Sequence, residues 1–372
     1  MESEVALVKC ADYSADYVEQ AIRQAVGLLG GIEKFIKPGS RVLVKPNLLA
    51  AKEPDSGIVT HPQIVRAVIR ILKDINVRIY LGDSPSVWVD ESMDEEFLWE
   101  KTGMKRVAEE EGAELVKFNR SRWHGRFPLT TCLDETDYFI SLPKFKTHDL
   151  TILTGAIKNL FGLIPGRYKV ELHKMHFAPR LFARMLVDLY ETVQPALTIV
   201  DGITALEGEG PASRGKTRSL GLIAAGVDCV GIDSILASVM GLKPEDILTT
   251  QEAAKRKLGN ARIQNIPIRG EGLSAFAGEP FKLPVTTFKY RIPGPVIELI
   301  KKLVRFYPYV DAGLCSGCGA CVSVCPVNVI DRKDGKATVD YSGCIACFCC
   351  QEACPEGAIS VNRSFIARLI KL

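Results

Sequence analysis

Twelve cysteines are spread very unevenly along the 372-residue chain, and nine of them lie between Cys315 and Cys354. Eight of these nine form one motif that is written twice, 29 residues apart. The two copies are Cys315-x2-Cys318-x2-Cys321-x3-Cys325-Pro326 and Cys344-x2-Cys347-x2-Cys350-x3-Cys354-Pro355. In a reducing cytosol, thiols at this density bind metal rather than form disulfides, so the spacing predicts a metal-binding segment.

The repeated run is typical of polypeptides that hold two [4Fe–4S] clusters, in which the fourth cysteine of each run ligates the other cluster. Two four-cysteine zinc sites are the rival interpretation, although zinc sites commonly use two CxxC pairs. The extra Cys349 is expected not to be a ligand, and a shifted ligation pattern is the alternative. We expect the first cluster to bind Cys315, Cys318, Cys321 and Cys354, and the second to bind Cys344, Cys347, Cys350 and Cys325.

The elements that precede this segment alternate between predicted strands and helices. Short apolar runs predict the strands, and apolar residues at helical spacing after Pro62 predict a helix. Near-continuous apolar strands separated by helices indicate an α/β fold, with a mostly parallel sheet covered by helices on both faces. The predicted strands are Arg41–Lys45, Val77–Leu81, Asp137–Leu142, Ala196–Val200 and Leu220–Ala225.

Polar residues gather directly after these strands, where ligands of open α/β sheets bind. Lysines are not turn residues, so their presence there favours an anion or substrate site. A histidine near several lysines should have a lowered pKa and suit general-base work. The candidate catalytic residues are Lys144, Lys146 and His148, and the candidate substrate- or anion-binding residues are Lys45, Asn47, His61, Asp83, Ser84, Lys158, Asn159 and Asp201. The alternative is that the Asp, Ser and Asn residues only make turns and helix caps.

Two other features have plainer interpretations. His173 and His176 are three residues apart, and we expect a pair of surface histidines rather than a metal site. The segment between Gly155 and Gly166 combines glycines with Lys158 and Asn159, a composition that can cradle a phosphate or carboxylate. It lacks the GK[ST] ending of a phosphate-binding P-loop.

Residues 311–360 resemble a bacterial two-cluster ferredoxin module, with all eight ligands and both prolines present. This resemblance implies a module that carries electrons singly between redox partners. The preceding region resembles the DUF362 family, whose fusion to a two-cluster ferredoxin module is typical and implies an anaerobe-type redox protein without supplying a substrate. The stretches that carry the likeness are Lys45-Pro-Asn-Leu-Leu49, Thr60-His-Pro62, Gly82-Asp-Ser-Pro85, 142–148, 154–166 and 201–211.

Four parts are therefore predicted along the chain. They are a DUF362-like α/β domain (1–283), a Pro-rich linker with a basic amphipathic helix (284–310), a small α+β ferredoxin-type domain (311–360) and a tail (361–372). The helix candidate is Val296–Phe306, and Phe365–Leu372 is a second apolar and basic stretch. Packing on a neighbouring domain is the expected role of both, and contact with a membrane surface is the alternative.

Composition and charge exclude several classes of protein. Hydrophobic residues make up 47% of the chain and charged residues 24%, which excludes wholesale disorder. The net charge is only +3, whereas strong non-specific nucleic-acid binding usually needs a larger excess of Lys and Arg, so we expect no nucleic-acid partner. An acidic start without an apolar run suggests the cytoplasm. The first hypothesis is an electron-transfer protein, or ferredoxin-type oxidoreductase component, whose large domain docks a redox partner or reduces an anionic small molecule. The alternatives are a transferase or isomerase with structural clusters, and a membrane-associated component of a redox complex.

Overall fold

The computed structural model describes residues 3–85, 95–290 and 306–364. Its large domain is built on a ten-stranded mixed sheet, and a separate hairpin (β5 Ser121–His124, β6 Phe127–Thr130) lies beside it. The strands of the sheet are β1 Val5–Lys9, β2 Arg41–Lys45, β3 Arg78–Leu81, β4 Glu114–Leu115, β7 Tyr138–Ser141, β8 Lys144–His148, β9 Ile152–Thr154, β10 Leu197–Glu209, β11 Arg214–Gly226 and β12 Ile268–Gly270.

The strand order is β12-β1-β11-β10-β7-β2-β3-β4, with β8 on β10 and β9 on β8. One half of the sheet is parallel, since β10, β7, β2, β3 and β4 pair in that way. In the other half β11 is antiparallel to both β1 and β10. The carboxyl ends of β2, β3 and β7 therefore meet at one edge, which is where the candidate residues gather.

Helices cover both faces of this sheet. They are α1 Ala15–Leu28, α2 Pro62–Lys73, α3 Glu95–Lys101, α4 Met104–Glu111, α5 Ala156–Asn159, α6 Gly166–Met175, α7 Pro179–Thr192, α8 Cys229–Val239 and α9 Leu248–Lys255. Alternate residues of one strand serve the two cores: Leu43 packs with α5, α7 and α8, whereas Val42 and Val44 pack with α1, α2 and α4. The predicted α/β class with helices on both faces is confirmed.

Most predicted strands lie where the apolar runs placed them, but β8 differs from expectation. After Pro143 the chain continues as a strand beside the long β10, with Asp201 opposite Lys144 and Leu206 opposite Lys146. The sequence predicts Lys144 and Lys146 next to a turn after the strand, and they lie instead within β8 with fully buried side chains. The reason is that β10 extends over 13 residues and offers backbone partners beyond the end of β7.

The small C-terminal module contains two helices, α10 Ala320–Ser323 and α11 Cys349–Ala353, and two strand pairs. The strand β13 Phe306–Val310 pairs with β16 Ile359–Arg363, and β14 Ile330–Lys333 pairs with β15 Lys336–Val339. Left-handed backbone positions recur at the 29-residue period of the cysteine motif: φ is 72° and 52° at Gly317 and Ala346, 85° and 61° at Gly319 and Phe348, and 53° and 62° at Asn328 and Gly357. The two cysteine runs therefore adopt one backbone conformation twice.

The predicted linker helix at 296–306 falls outside the described residues except for Phe306, which begins β13. The stretch Phe365–Leu372 also lies outside them. Within the described residues, every helix is too short or too polar to cross a membrane.

Candidate functional site

A cavity of about 40 Å³ lies at the carboxyl ends of β2 and β3. Seven predicted site residues line it: Asn47, Asp83, Ser84, Lys146, His148, Lys158 and Asn159. Gly162 of the glycine segment lines it too, and the other lining residues were not predicted as site residues: Leu48, Leu49, Thr154, Phe161, Lys169 and Pro211. The strand-end rule thus located the cavity, but only part of its wall.

Lys45 lies behind this wall in a buried ion pair. Its Nζ is 2.8 Å from Asp83 Oδ1 and donates to the carbonyl of Pro46 at 3.0 Å. The other Asp83 oxygen accepts from the Leu48 backbone N–H at 2.7 Å. A Cβ on Gly162 would come within 2.3 Å of Asp83 Oδ1 and 2.5 Å of Lys45 Nζ, so this glycine makes room for the ion pair.

Three of the predicted site residues, Lys144, His61 and Asp201, form a different cluster, away from the cavity wall. Lys144 Nζ lies 2.8 Å from Asp201 Oδ2 and donates to Tyr13 Oη at 2.7 Å. Tyr13 donates to Asp201 Oδ1 at 2.7 Å and stacks on the His61 ring, with centroids 3.8 Å apart. His61 also caps α2, accepting from the Gln63 N–H. All partners of this closed cluster are satisfied, which makes it a structural tie between β8, β10 and α2.

Three lysines of the cavity lack such a carboxylate partner. Lys146 Nζ donates to the Ile58 carbonyl at 2.7 Å, and Lys169 Nζ donates to the carbonyls of Ser84 and Pro85. Lys158 Nζ lies over the Phe161 ring, 5.1 Å from its centroid. Burial, with smaller effects of neighbouring charges, lowers the pKa of Lys146 and of Lys169 to about 7. Burial also lowers the pKa of Lys158.

The side chain of Lys158 is positioned by an unusual helix start. The two N–H groups of Ala156 and Ile157 donate to the buried carboxylate of Asp233, at 2.6 and 3.2 Å. A Cβ on Gly155 would lie 2.1 Å from that carboxylate, so Gly155 is needed for the approach of Asp233. The glycines that suggested a phosphate cradle therefore admit protein side chains, at Gly155 and at Gly162.

His148 lies at the end of β8 with a fully buried ring. Its Nδ1 accepts from the Leu150 N–H at 3.1 Å, so the neutral ring carries its proton on Nε2. Burial and, after it, the charge of Lys158 lower the pKa of His148 to about 4. The histidine is thus neutral at pH 7, and burial rather than the predicted lysines is the main cause.

The C-terminal module docks on this part of the large domain through α11 and the turn that follows it. Glu352 Oε1 lies 3.3 Å from His148 Nε2, and the Glu352 side chain is 7% exposed. Lys52 Nζ donates to the carbonyl of Pro355, and Arg214 Nη1 donates to that of Gly357 at 3.4 Å. These contacts hold the module against the wall that carries His148.

A second cavity of about 30 Å³ lies between the module and the large domain. It shares Lys158, Phe161 and Lys169 with the first cavity. The module contributes Val324, Cys349 and Glu352 to its wall. His173 lines it too, buried and stacked on Phe182 at 4.5 Å, so the prediction of a surface histidine is wrong at this position. Lys158 and Lys169 therefore lie between the first cavity and the cysteine segment.

One further cavity is lined by three cysteines of the first run and the last cysteine of the second run. These residues are Cys315, Cys318, Cys321 and Cys354. Burial, and then the neighbouring thiolates of Cys318 and Cys354, raise the pKa of Cys321 to about 11. A cluster iron would replace these protons, so four thiols around one cavity fit the donor set that a [4Fe–4S] cluster needs.

The remaining four ligand candidates lie close to one another. The thiolates of Cys347 and Cys325 contribute to the raised pKa of Cys344, after burial. Cys350 is surrounded by the thiols of Cys347, Cys344 and Cys325, with Cys321 of the other set nearby. In the part of the chain that the structure describes, no three His, Cys, Asp or Glu side chains converge on a single ion.

Comparison with known proteins identifies both regions. The sequence model of a domain of unknown function, DUF362, matches residues 42–238, and a 4Fe-4S dicluster domain matches residues 307–355. A thylakoid-associated protein of Synechocystis is 32% identical over 266 residues, which are 70% of this chain and 80% of that protein. A Thermotoga maritima structure shares 12% identity over 56% of this chain and 54% of its own, with a TM-score of 0.34.

The C-terminal region also matches components of redox enzymes. Formate hydrogenlyase subunit 2 of Escherichia coli is 45% identical over 53 residues, or 14% of this chain and 26% of that protein. An iron–sulfur component of the Methanocaldococcus jannaschii CoB–CoM heterodisulfide reductase is 39% identical over 73 residues, or 15% of this chain and 11% of that protein. The chain thus spans a minor part of these two proteins. Its C-terminal region is an iron–sulfur electron-transfer module that binds [4Fe–4S] clusters, and the chain belongs to the DUF362 family.

Proposed function

We propose that this chain is an electron-transfer protein whose C-terminal module carries electrons singly between a redox partner protein and an anionic molecule in the large-domain cavity. The observation that supports this proposal is the shared wall of the second cavity. Cys349 and Glu352 of the module line it together with Lys158 and Lys169, which also line the strand-end cavity. A molecule in that cavity would lie next to the cysteine segment.

Two [4Fe–4S] clusters are part of this proposal, and each supplies one-electron redox chemistry when it is bound. The first would be held by Cys315, Cys318, Cys321 and Cys354, which share one cavity. The second would be held by Cys325, Cys344, Cys347 and Cys350. Val324 and Cys349, which line the cavity between the units, are direct sequence neighbours of Cys325 and Cys350. The second set of ligands is therefore the set next to the proposed substrate.

The large domain would contribute binding and orientation. Lys146, Lys158 and Lys169 supply ammonium groups to the cavity wall, and Asn47 and Asn159 supply amides. His148 is a neutral imidazole with its proton on Nε2, beside Glu352, and it would contribute a hydrogen-bond donor there. Lys144, His61 and Asp201 would fix the local backbone rather than contact substrate. The redox partner would supply or accept the electrons; the components of redox complexes that match the module support this.

The test is an EPR-monitored potentiometric titration of anaerobically purified protein, after iron and sulfide analysis. About eight irons per chain and two [4Fe–4S] centres reducible at low potential are expected. Fully loaded clusters that no accessible potential reduces would contradict electron transfer. That outcome would favour the alternative of a transferase or isomerase with structural clusters.

A second candidate function, as a membrane-associated component of a redox complex, is favoured by the thylakoid-associated relative. The apolar and basic sequences Val296–Phe306 and Phe365–Leu372 are its candidate membrane contacts. The protein should then float with anionic liposomes at low salt and dissociate at about 0.5 M salt, because surface electrostatics are screened. Lack of flotation at low salt would remove this candidate.

A further inference from the structure

The lysines at the strand ends fall into two groups that differ in their partners. Lys45 and Lys144 each lie 2.8 Å from a buried aspartate. Among the described residues, no carboxylate lies within 4 Å of the ammonium groups of Lys146, Lys158 or Lys169. A buried ammonium without a counter-ion is costly, and proteins normally pair it. Three such groups around one cavity indicate that the missing negative charge comes from a ligand.

Other polar atoms of the same wall also lack partners. Within the described residues the buried Ser84 Oγ, Thr154 Oγ1 and Asn47 Oδ1 have no hydrogen-bond partner. Ser84 is 3% and Thr154 is 3% exposed, so water at the protein surface does not satisfy them. Buried polar atoms are nearly always hydrogen-bonded in native proteins. The two hydroxyls can donate to an anion, as the lysines can.

The charges limit the ligand further. Three ammonium groups face the cavity, and Glu352, whose charge interacts with those of Lys146 and Lys158, offsets one of them. Asp83 is already neutralised by Lys45. The groups that face the cavity therefore carry a net charge of up to +2. The enclosed space of about 40 Å³ has room for roughly three water molecules, so the ligand must be small.

We propose that the strand-end cavity binds a small dianion, a phosphate or a dicarboxylate, through the ammonium groups of Lys146, Lys158 and Lys169. Ser84 and Thr154 add hydroxyl hydrogen bonds. This inference deepens the proposed function, because it defines the class of molecule that would lie beside the second set of cysteines. Its binding step involves no electron transfer and can be measured alone.

The experiment is isothermal titration calorimetry of the oxidised holoprotein at pH 7 without an electron donor. The probes are inorganic phosphate and succinate, with acetate as the monoanion and succinamide as the neutral analogue. Phosphate or succinate should bind with one site per chain and at least tenfold more tightly than acetate, and succinamide should not bind. Selective binding of phosphate would assign a phosphate ligand, and selective binding of succinate a dicarboxylate. Equal affinity for acetate, or no binding of either dianion, would overturn the proposal.

Lys158→Met keeps the apolar stem of the side chain and removes the ammonium, so it should weaken dianion binding about 10- to 100-fold, as expected for a lost charged hydrogen bond. Lys174→Met is the matched control, since Lys174 is an exposed residue of α6 and should leave the affinity unchanged. Lys146→Met provides a second test within β8. Wild-type affinity in both Lys158→Met and Lys146→Met would contradict the assignment. Irreducible clusters would contradict the proposed electron transfer but would leave this binding result intact.

Discussion

Replacement of a lysine by methionine should have opposite effects on the stability of the fold at two positions of β8. Lys144 has a carboxylate partner, whereas Lys146 has none. Lys144→Met would leave the fully buried Asp201 without its ammonium partner at 2.8 Å. Two unit charges at that distance attract by about 6 kcal/mol at an effective dielectric constant of about 20. Breaking a buried pair from one side typically costs about 3–5 kcal/mol. We expect the melting temperature to fall by roughly 6–10 °C.

Lys146→Met should have the opposite sign, because no carboxylate is left without a partner. Burial lowers the pKa of Lys146 from its ordinary 10.5 to about 7. The unfolded chain therefore binds the proton more strongly than the folded chain, which costs the folded protein up to about 4 kcal/mol at pH 7. The variant should be as stable as the wild type or more stable. Its advantage should shrink as the pH rises from 7 towards 10, where the unfolded chain also loses the proton.

The assay is anaerobic thermal unfolding of both variants and the wild type at pH 7 and pH 9, with circular dichroism for the fold and visible absorbance for the clusters. Lys174→Met is the control for the loss of one exposed charge. An equal loss of stability in Lys144→Met and Lys146→Met would refute the reasoning, since Lys146 would then have a partner that supports the fold.

Three further predictions follow from the same contacts. Phosphate affinity should fall as the pH rises above 7, because the anion favours the charged forms of Lys146 and Lys169. Calorimetry in two buffers should show proton uptake on binding, and pH-independent affinity would contradict the prediction. The charged groups that face these two lysines are Lys45, Asp83, Lys144, Lys158 and Glu352. Glu352→Gln should tighten phosphate binding roughly fivefold by removing a negative charge from the wall, and unchanged or weaker binding would argue against its place there. Cys354→Ala should lower the iron content by about half, whereas Cys349→Ala should retain both clusters; iron analysis decides, and equal losses would indicate the shifted ligation pattern.

The strands and the cysteine segment could be predicted because their signals are local. An apolar run such as Arg41–Lys45 indicates a buried strand wherever it lies, and β2 has those bounds. Cysteine spacing indicates the cluster type because the ligands of each run are close in sequence. The position of the cavity followed from the strand-end rule, since β2 and β3 are parallel neighbours.

The sequence could not predict which lysines form buried ion pairs and which line the cavity, because this depends on contacts between residues that are distant in sequence. Lys144 and Asp201 are 57 positions apart, and their pairing requires β8 to continue along β10. Lys169 enters the cavity from α6, and Glu352 enters from the other domain. Local composition carried no signal for either residue. His173 shows the same limit, since its burial depends on packing against Phe182.

The central claim is that a molecule bound in the strand-end cavity changes the reduction potential of a cluster in the cysteine segment beside it. It is tested most directly by EPR-monitored redox titrations of the holoprotein with and without saturating phosphate, in the wild type and in Lys158→Met. We predict two reducible [4Fe–4S] centres, of which phosphate shifts the midpoint potential of one, in the wild type only, because nearby charge tunes the potential. Two centres whose potentials stay unchanged with phosphate and also with succinate, or the absence of any reducible centre, would contradict the account.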